Sequence, residues 1–168
     1  MRPLVDTVIE DVRWEGAGLA EIAERGARAA LMAVGLDPAG FSIVVLGCDD
    51  ARIAALNGEF RAKARPKNVL SWPSEERGAE ADGGAPERPT PGTADAPEEL
   101  GDIAIAWETC AAEADAAGKP LAEHATHLVV HATLHLLGYD HIRDGDAALM
   151  EGLETRVLAG MGMADPYS

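Results

Sequence analysis

The amino-acid sequence predicts a single α+β domain with a small mixed sheet. Segments typical of strands alternate with segments typical of helices, without the strict strand–helix–strand order of a doubly wound fold. A length of 168 residues suits one domain, 1–168, that is large enough to bury a core. Of these residues 47% are hydrophobic but only 4% are aromatic, so Ala, Leu and Val must fill most of that core.

Four segments of the N-terminal half have the hydrophobic pattern and the boundaries of regular structure. They are strand-like stretches within Leu4–Trp14, an amphipathic helix over Leu19–Val34 that ends at Gly35, a buried strand over Phe41–Leu46, and a short helix capped by Asp49 or Asp50 that continues to about Phe60. On the last helix, Ile53, Leu56 and Phe60 share one face.

Five further segments have the pattern and boundaries of regular structure. They are a short strand over Asn68–Trp72 between two prolines, a strand over Asp102–Trp107, a helix over Glu108–Ala117 stopped by Gly118, a helix from Pro120 to Gly138, and a helix from Asp144 or Asp146 to Gly160. Proline suits the start of a helix and glycine suits the position just past its end.

The formal net charge of −15 argues by itself against a nucleic-acid partner, because phosphates are bound by basic surfaces. Ser74–Glu99 holds eight acidic and two basic residues with four Pro and four Gly, and it lacks Val, Ile, Leu and Phe. Such a segment buries too little apolar surface to offset its ordering entropy, so we expect a mobile acidic loop at 74–99. The remainder is still acidic, and an anionic substrate would need a local basic patch.

Several classes of protein are excluded. No apolar run approaches the roughly 18 residues that a membrane span needs, and the acidic, alternating N-terminus differs from a secretory signal. Cys48 and Cys110 are too few for a disulfide framework, so we expect reduced core thiols in a cytoplasmic protein. A membrane protein, a secreted disulfide scaffold and a fibrous protein are thereby ruled out.

A basic segment precedes the acidic one. Arg61, Lys63, Arg65 and Lys67 occupy every second position of RAKARPK, so in an extended chain all four side chains project to one side. Taken alone, such a run is more typical of a solvated loop than of a binding surface.

All five histidines lie between positions 124 and 141. His127, His131 and His135 form a stripe along one face of a helix that is otherwise mostly apolar, which indicates a buried helix lining a polar cavity. His131 and His135 are one turn apart and can converge on one metal ion. His127 cannot join this pair, because it lies about 12 Å along the axis from His135.

A third ligand follows the helix. Gly138 allows the chain to reverse, and His141 completes the pattern HxxxHxxGxxH. This spacing is typical of the three-His zinc site of metzincin metalloproteases. Three imidazole ligands leave one coordination position open, which favours a catalytic Zn²⁺ site, although imidazoles also bind Ni and Co.

A peptidase is disfavoured at one position. Metzincins place a Glu general base directly after the first His, where this chain has Ala132. Phosphodiester cleavage fits better, since a bound metal can activate water and a cation such as Arg61 can steady the phosphate charge.

The sequence resembles the YbeY family of bacterial zinc-dependent endoribonucleases. HATLHLLGYDH at 131–141 is similar to the family signature HGxLHLxGYDH, with Ala132 in place of the usual Gly. LNGEFRAKARPKNVLSWP at 56–73, ELGDIAIA at 99–106 and the C-terminal GMADPYS also resemble family blocks. In the first of these, Phe60, Arg65, Lys67 and Trp72 replace the family's Tyr, Asp, Thr and Phe.

The resemblance implies a four-stranded sheet flanked by helices and one Zn²⁺ per chain on His131, His135 and His141, with Arg61 as the functional arginine that holds the scissile phosphate. It implies a cytoplasmic enzyme that cuts single-stranded RNA and matures the 3′ end of 16S rRNA. It also implies a role in ribosome quality control and binding to the small ribosomal subunit or its assembly proteins. No DNA partner is expected. Arg61, Lys63, Arg65 and Lys67 would form the RNA-binding patch.

Two further residues have alternative roles. His127 either contacts RNA or supports a metal ligand, or it serves only packing. Asp140 either orients a ligand imidazole or only caps the turn. At the level of the whole protein, the alternatives are a ribosome-assembly protein in which zinc only stabilises the fold and, less favoured, a metzincin-like peptidase.

Overall fold

The computed structural model describes residues 3–58 and 67–167 and has a four-stranded mixed sheet with helices packed around it. The strands are β1 (Val5–Ile9), β2 (Phe41–Cys48), β3 (Val69–Pro73) and β4 (Glu98–Ala106). The helices are α1 (Val12–Gly16), α2 (Leu19–Ala33), α3 (Asp50–Gly58), α4 (Trp107–Ala117), α5 (Leu121–Leu136) and α6 (Asp144–Gly160). The strand order is β1-β2-β4-β3, with β3 antiparallel to β4 and the other pairs parallel. The predicted α+β class with a mixed sheet is confirmed.

The N-terminal stretch corrects one expectation. Within Leu4–Trp14 the strand covers only Val5–Ile9, because Asp11 then caps a short helix by accepting a hydrogen bond from the Arg13 amide at 3.0 Å. Trp14 on that helix is fully buried, and its indole N–H donates to the Cys48 carbonyl at 3.0 Å. A buried indole thus ties α1 to the end of β2.

The other elements follow the sequence expectations with small shifts at their ends. β4 begins at Glu98 rather than Asp102, and Trp107 belongs to α4 instead of the strand. Pro120 is the residue before the first turn of α5 rather than part of it. On α3, Ile53 is buried but Leu56 is 37% exposed, and Phe60 lies outside the described residues.

The helix α5 occupies the centre of the core, between α2 and the sheet. Its approach to α2 is close, since a Cβ added at Gly26 would lie 3.4 Å from a Val129 methyl. α4 and α6 also contact α5, so the helix is enclosed along most of its length. This central position gives the histidine stripe of α5 a rigid support.

The acidic segment between β3 and β4 lies across the helix ends. The buried Arg77 side chain donates to the Leu136 carbonyl at 3.1 Å, and Arg88 donates to the carbonyls of Val34 and Gly35 at 2.8 and 3.1 Å. Arg143 of the α6 N-terminus donates to two carbonyls of the same segment, at 2.7 and 2.8 Å. The mobility expected for 74–99 stays a prediction, and these contacts are the ones that motion would break.

Both cysteines are unpaired and buried. Burial, reinforced by nearby carboxylates, raises the pKa of the Cys48 and Cys110 thiols to about 12. Neither is a reactive thiolate at neutral pH, and the interpretation as core thiols is confirmed. Within the described ranges, no helix has the length and apolarity needed to cross a membrane.

Candidate metal centre

The histidine stripe lies on α5 as its spacing predicts. Nine side chains on the other faces of the helix are buried, and the two threonines among them, Thr126 and Thr133, donate their hydroxyl groups to carbonyls one turn earlier at 2.7 Å. His131 and His135 remain half-buried and face a cleft. The helix therefore buries its apolar faces and presents its imidazoles to one open side.

The end of α5 is a Schellman motif, after which the chain turns and places the third histidine next to the other two. The Gly138 amide donates to the His135 carbonyl at 3.0 Å, and the Tyr139 amide donates to the Leu134 carbonyl at 3.1 Å. Gly138 has φ +102°, a conformation that residues with a side chain rarely adopt. The chain reverses here, and the exposed His141 returns to the two helical histidines.

His131, His135 and His141 form one cluster in which the candidate ligand nitrogens lie within 4.8 Å of one another. The His131 ring centroid lies 4.7 Å from that of His135 and 5.4 Å from that of His141, and the latter two are 5.0 Å apart. Zinc–nitrogen bonds are about 2.0–2.1 Å long, so ligands on one ion lie at most about 4 Å apart. Small side-chain rotations would bring the cluster to that size, and the donor set fits Zn²⁺.

A buried carboxylate supports the cluster from α6. Glu154 is fully buried, and its Oε1 lies 2.5 Å from His131 Nδ1 while its Oε2 lies 2.9 Å from His127 Nε2. The Tyr167 hydroxyl donates a short hydrogen bond to the same Oε2. Because His131 Nδ1 is engaged, its Nε2 is the nitrogen left for a metal ion.

The charges at the site follow from these contacts. Burial would raise the pKa of Glu154, but hydrogen bonds from His127, His131 and Tyr167 outweigh it and lower the pKa to about 2. Burial, with the neighbouring His131 and His141, lowers the pKa of His135 to about 4. At neutral pH His135 is therefore uncharged, and its nitrogen lone pair is available to a metal.

The cleft beside the cluster has a volume of about 440 Å³ and is walled by β3 on the side facing the histidines. Asn68, at the start of β3, donates to Glu113 Oε1 at 2.9 Å, and the same oxygen lies 2.8 Å from His124 Nε2. Glu113 thus links the strand wall to α5. Ala132 lines the cleft at the position where a metzincin has its Glu.

The remaining predicted residues are placed as follows. Lys67 is exposed and lines the cleft, whereas Arg61, Lys63 and Arg65 lie outside the described residues. The Asp140 carboxylate accepts the backbone amide of His141 at 2.7 Å. The two alternatives for Asp140, orienting a ligand imidazole or only capping the turn, stay predictions.

Sequence reasoning missed Glu154 and Tyr167. The available signal was the position of Glu154 on α6, where it shares a face with the buried Met150, Val157 and Leu158. An acid on the apolar face of a helix needs a buried partner. Arg77, which contacts the end of α5, was also missed within a segment expected to be mobile.

The fold and this cluster together define an α+β protein with a three-histidine centre in an open cleft. The family model described as Endoribonuclease YbeY matches residues 9–162, and the chain belongs to this family.

Curated relatives and a solved structure agree with the assignment. A protein named Endoribonuclease YbeY from Cereibacter sphaeroides is 60% identical over 99% of this chain and 100% of its own length. One with the same name from Ruegeria pomeroyi is 58% identical over 98% of each chain. The solution structure of TM1509 from Thermotoga maritima matches with a TM-score of 0.54 at 18% identity, over 98% of this chain and 99% of that one, and supports the fold.

Proposed function

We propose that the protein is a metal-dependent endoribonuclease that cleaves single-stranded RNA in the cleft between β3 and the histidine face of α5. The observation that carries the proposal is the cluster of His131, His135 and His141 at this cleft, in a chain that belongs to the Endoribonuclease YbeY family. Family membership supports the RNA-cleaving hydrolase. The cluster supports the dependence on a metal.

The residues fit one Zn²⁺ ion per chain. His135 is uncharged at neutral pH, and Glu154 occupies His131 Nδ1 so that Nε2 remains available. A zinc ion on these ligands would supply Lewis-acid activation of water. Ni²⁺ and Co²⁺ are chemically compatible with the same imidazoles.

The basic segment 61–67 supplies the positive charge that substrate binding needs in an otherwise acidic protein. Lys67 lines the cleft, and Arg61, Lys63 and Arg65 precede it in the sequence. We assign the scissile phosphate to Arg61, because a planar guanidinium can donate two parallel N–H groups to two oxygens of one phosphate. The other three cations would hold flanking phosphates and partly offset the net charge of −15.

The cleft argues against a peptidase. Among the described residues that line it there is no carboxylate, and the position next to His131 is the buried Ala132. A metzincin-type mechanism needs a carboxylate there to transfer a proton to the leaving amine. Hydrolysis of a phosphodiester has an alkoxide leaving group that a metal or a cation can stabilise instead.

For the biological role we propose maturation of the 3′ end of 16S rRNA and ribosome quality control, in the cytoplasm and in contact with the small ribosomal subunit. The sequence blocks at 56–73 and 131–141 support this role through their similarity to the family pattern. The acidic bulk surface also favours a substrate that reaches the protein through a defined basic patch rather than through general attraction.

The test is cleavage of a 3′-extended small-subunit rRNA fragment by metal-free protein with and without added Zn²⁺. Wild type should cut only with metal, and His135→Ala should not cut, because it loses a ligand. His124→Gln is the matched control: it removes a histidine of the same helix outside the cluster but keeps an N–H donor for Glu113, and it should cut like wild type.

Two results would overturn the proposal. Equal cutting by wild type and His135→Ala would assign the activity to a contaminant. RNA binding without cutting by either protein, together with a large fall in the unfolding midpoint on metal removal, would indicate a zinc-stabilised ribosome-assembly protein instead.

A further inference from the structure

Among the acidic residues in ranges 3–58 and 67–167, Glu154 stands apart because its side chain has no exposure to solvent. It lies in the middle of α6, on the face that packs against α5, and it is not among the candidate metal ligands. Burying a carboxylate costs several kcal/mol unless hydrogen bonds compensate it. Its three partners, His127, His131 and Tyr167, are the compensation.

The contact with His131 selects one ring nitrogen. A carboxylate only accepts hydrogen bonds, so Nδ1 of His131, at 2.5 Å from Oε1, carries the hydrogen. Nε2, on the other side of the ring, is then the nitrogen whose lone pair can bind a metal ion. Metal-bound histidines commonly have a carboxylate in this role, which sets both ring orientation and tautomer.

His127 and Tyr167 act on the carboxylate rather than on the cluster. The His127 ring centroid is 6.4 Å from that of His131, and its Nε2 is directed to Glu154. Tyr167 reaches the same Oε2 from the C-terminal tail. Oε2 therefore has two donors, which leaves Oε1 directed at His131.

We propose that Glu154 is a positioning residue of the metal centre: it holds His131 in the orientation and tautomer that present Nε2 to the ion, and His127 and Tyr167 hold Glu154 in place. The inference rests on the metal centre of the proposed function. It explains why a helix of the core carries a buried charge directly behind one of the three ligands.

The expected effect is on metal affinity. Outer partners of this kind contribute about 10- to 100-fold to metal binding. Glu154→Gln keeps the size of the side chain, but an amide can donate as well as accept, so it no longer enforces the hydrogen on Nδ1. We therefore expect zinc affinity to fall by about 10- to 100-fold.

The experiment measures zinc affinity by chelator competition and records the absorption spectrum of the Co²⁺-loaded protein. Glu151→Gln is the matched control, since it removes the same charge from the same helix, while the hydrogen bonds to His127, His131 and Tyr167 are all made by Glu154. The proposal expects weaker zinc binding and an altered cobalt spectrum for Glu154→Gln, with Glu151→Gln like wild type. Equal zinc affinity and an identical cobalt spectrum for Glu154→Gln and wild type would overturn it.

Tyr167→Phe keeps the experiment decisive if Glu154→Gln does not fold. Tyr167 is 47% exposed, and removing its hydroxyl deletes one hydrogen bond to the carboxylate. Zinc affinity should then fall by about two- to tenfold. An unchanged affinity in a folded Tyr167→Phe protein would contradict the proposal.

The two proposals fail in different ways. A wild-type protein that binds neither Zn²⁺ nor Co²⁺ overturns the metal centre and this inference together. A wild-type protein that binds metal but does not cut RNA overturns the ribonuclease alone, and the comparison of Glu154→Gln with wild type still decides the role of Glu154.

Discussion

Gly138→Ala tests whether the turn after α5 depends on a glycine. An alanine at this position would be destabilised by backbone strain and by a steric clash. The backbone has φ +102°, and a strained conformation of this kind costs about 1–3 kcal/mol for a residue with a Cβ. The new Cβ would also lie 2.7 Å from the carbonyl carbon and oxygen of Arg77. Overpacking of this kind adds about 1–3 kcal/mol.

Arg77 cannot move away cheaply. Its guanidinium donates to the Leu136 carbonyl at 3.1 Å, and its own carbonyl accepts the Glu87 amide at 2.9 Å. We therefore expect Gly138→Ala to lower the free energy of unfolding by about 2–6 kcal/mol. Because His141 follows the turn, zinc affinity of the folded variant should also fall.

Urea denaturation of metal-free protein, with two control glycines, separates the cost of backbone strain from the cost of the clash. Gly118 has φ +66° but open space around its Cβ position, so Gly118→Ala should lose only about 1–2 kcal/mol. Gly152 lies within α6 with open space and no positive φ, so Gly152→Ala should gain up to about 1 kcal/mol. The reasoning is refuted if Gly138→Ala is no less stable than Gly118→Ala.

Two further substitutions test contacts that position the helices. Glu24 accepts the amides of Leu4 and Val5 at 3.0 and 2.8 Å, and these bonds, with Arg28, outweigh burial and lower its pKa. Glu24→Gln should therefore lower the free energy of unfolding by about 1–3 kcal/mol at neutral pH. The difference from wild type in urea midpoint should shrink as the pH falls below about 4.5, the pKa of Glu24 in the unfolded chain. A difference that stays constant with pH would contradict this. Arg77→Met should cost about 1.5–3 kcal/mol in the same assay, because Leu136 loses a charged donor; an unchanged midpoint would show that this contact contributes nothing.

The cluster of three histidines could be predicted because most of its geometry is local. Helical periodicity places His131 and His135 on one face, and a glycine after the helix allows the reversal that returns His141. Family blocks such as 131–141 carried the same information in a second form, and the family model confirmed the resemblance.

The local sequence reports less about contacts between distant residues. The stretch to Trp14 contains strand-like segments, but the strand ends at Ile9 and the Asp11 cap starts α1. The Trp14 indole then ties this helix to the Cys48 carbonyl, 34 residues away. The composition of 74–99 predicts a mobile acidic loop, and this stays a prediction. Composition does not report that Arg77 and Arg88 reach the carbonyls at the ends of α5 and α2.

The chain alone therefore specified the α+β class, the elements near their true limits, and the three histidines that converge at the end of α5. The tertiary structure decided what lies behind them: Glu154 reaches His131 across 23 positions of sequence, and Tyr167 joins it from the tail. The physical reason is the range of each interaction. Helical spacing and turn conformation are set within a few residues, whereas a buried carboxylate acquires its partners only when two helices pack together.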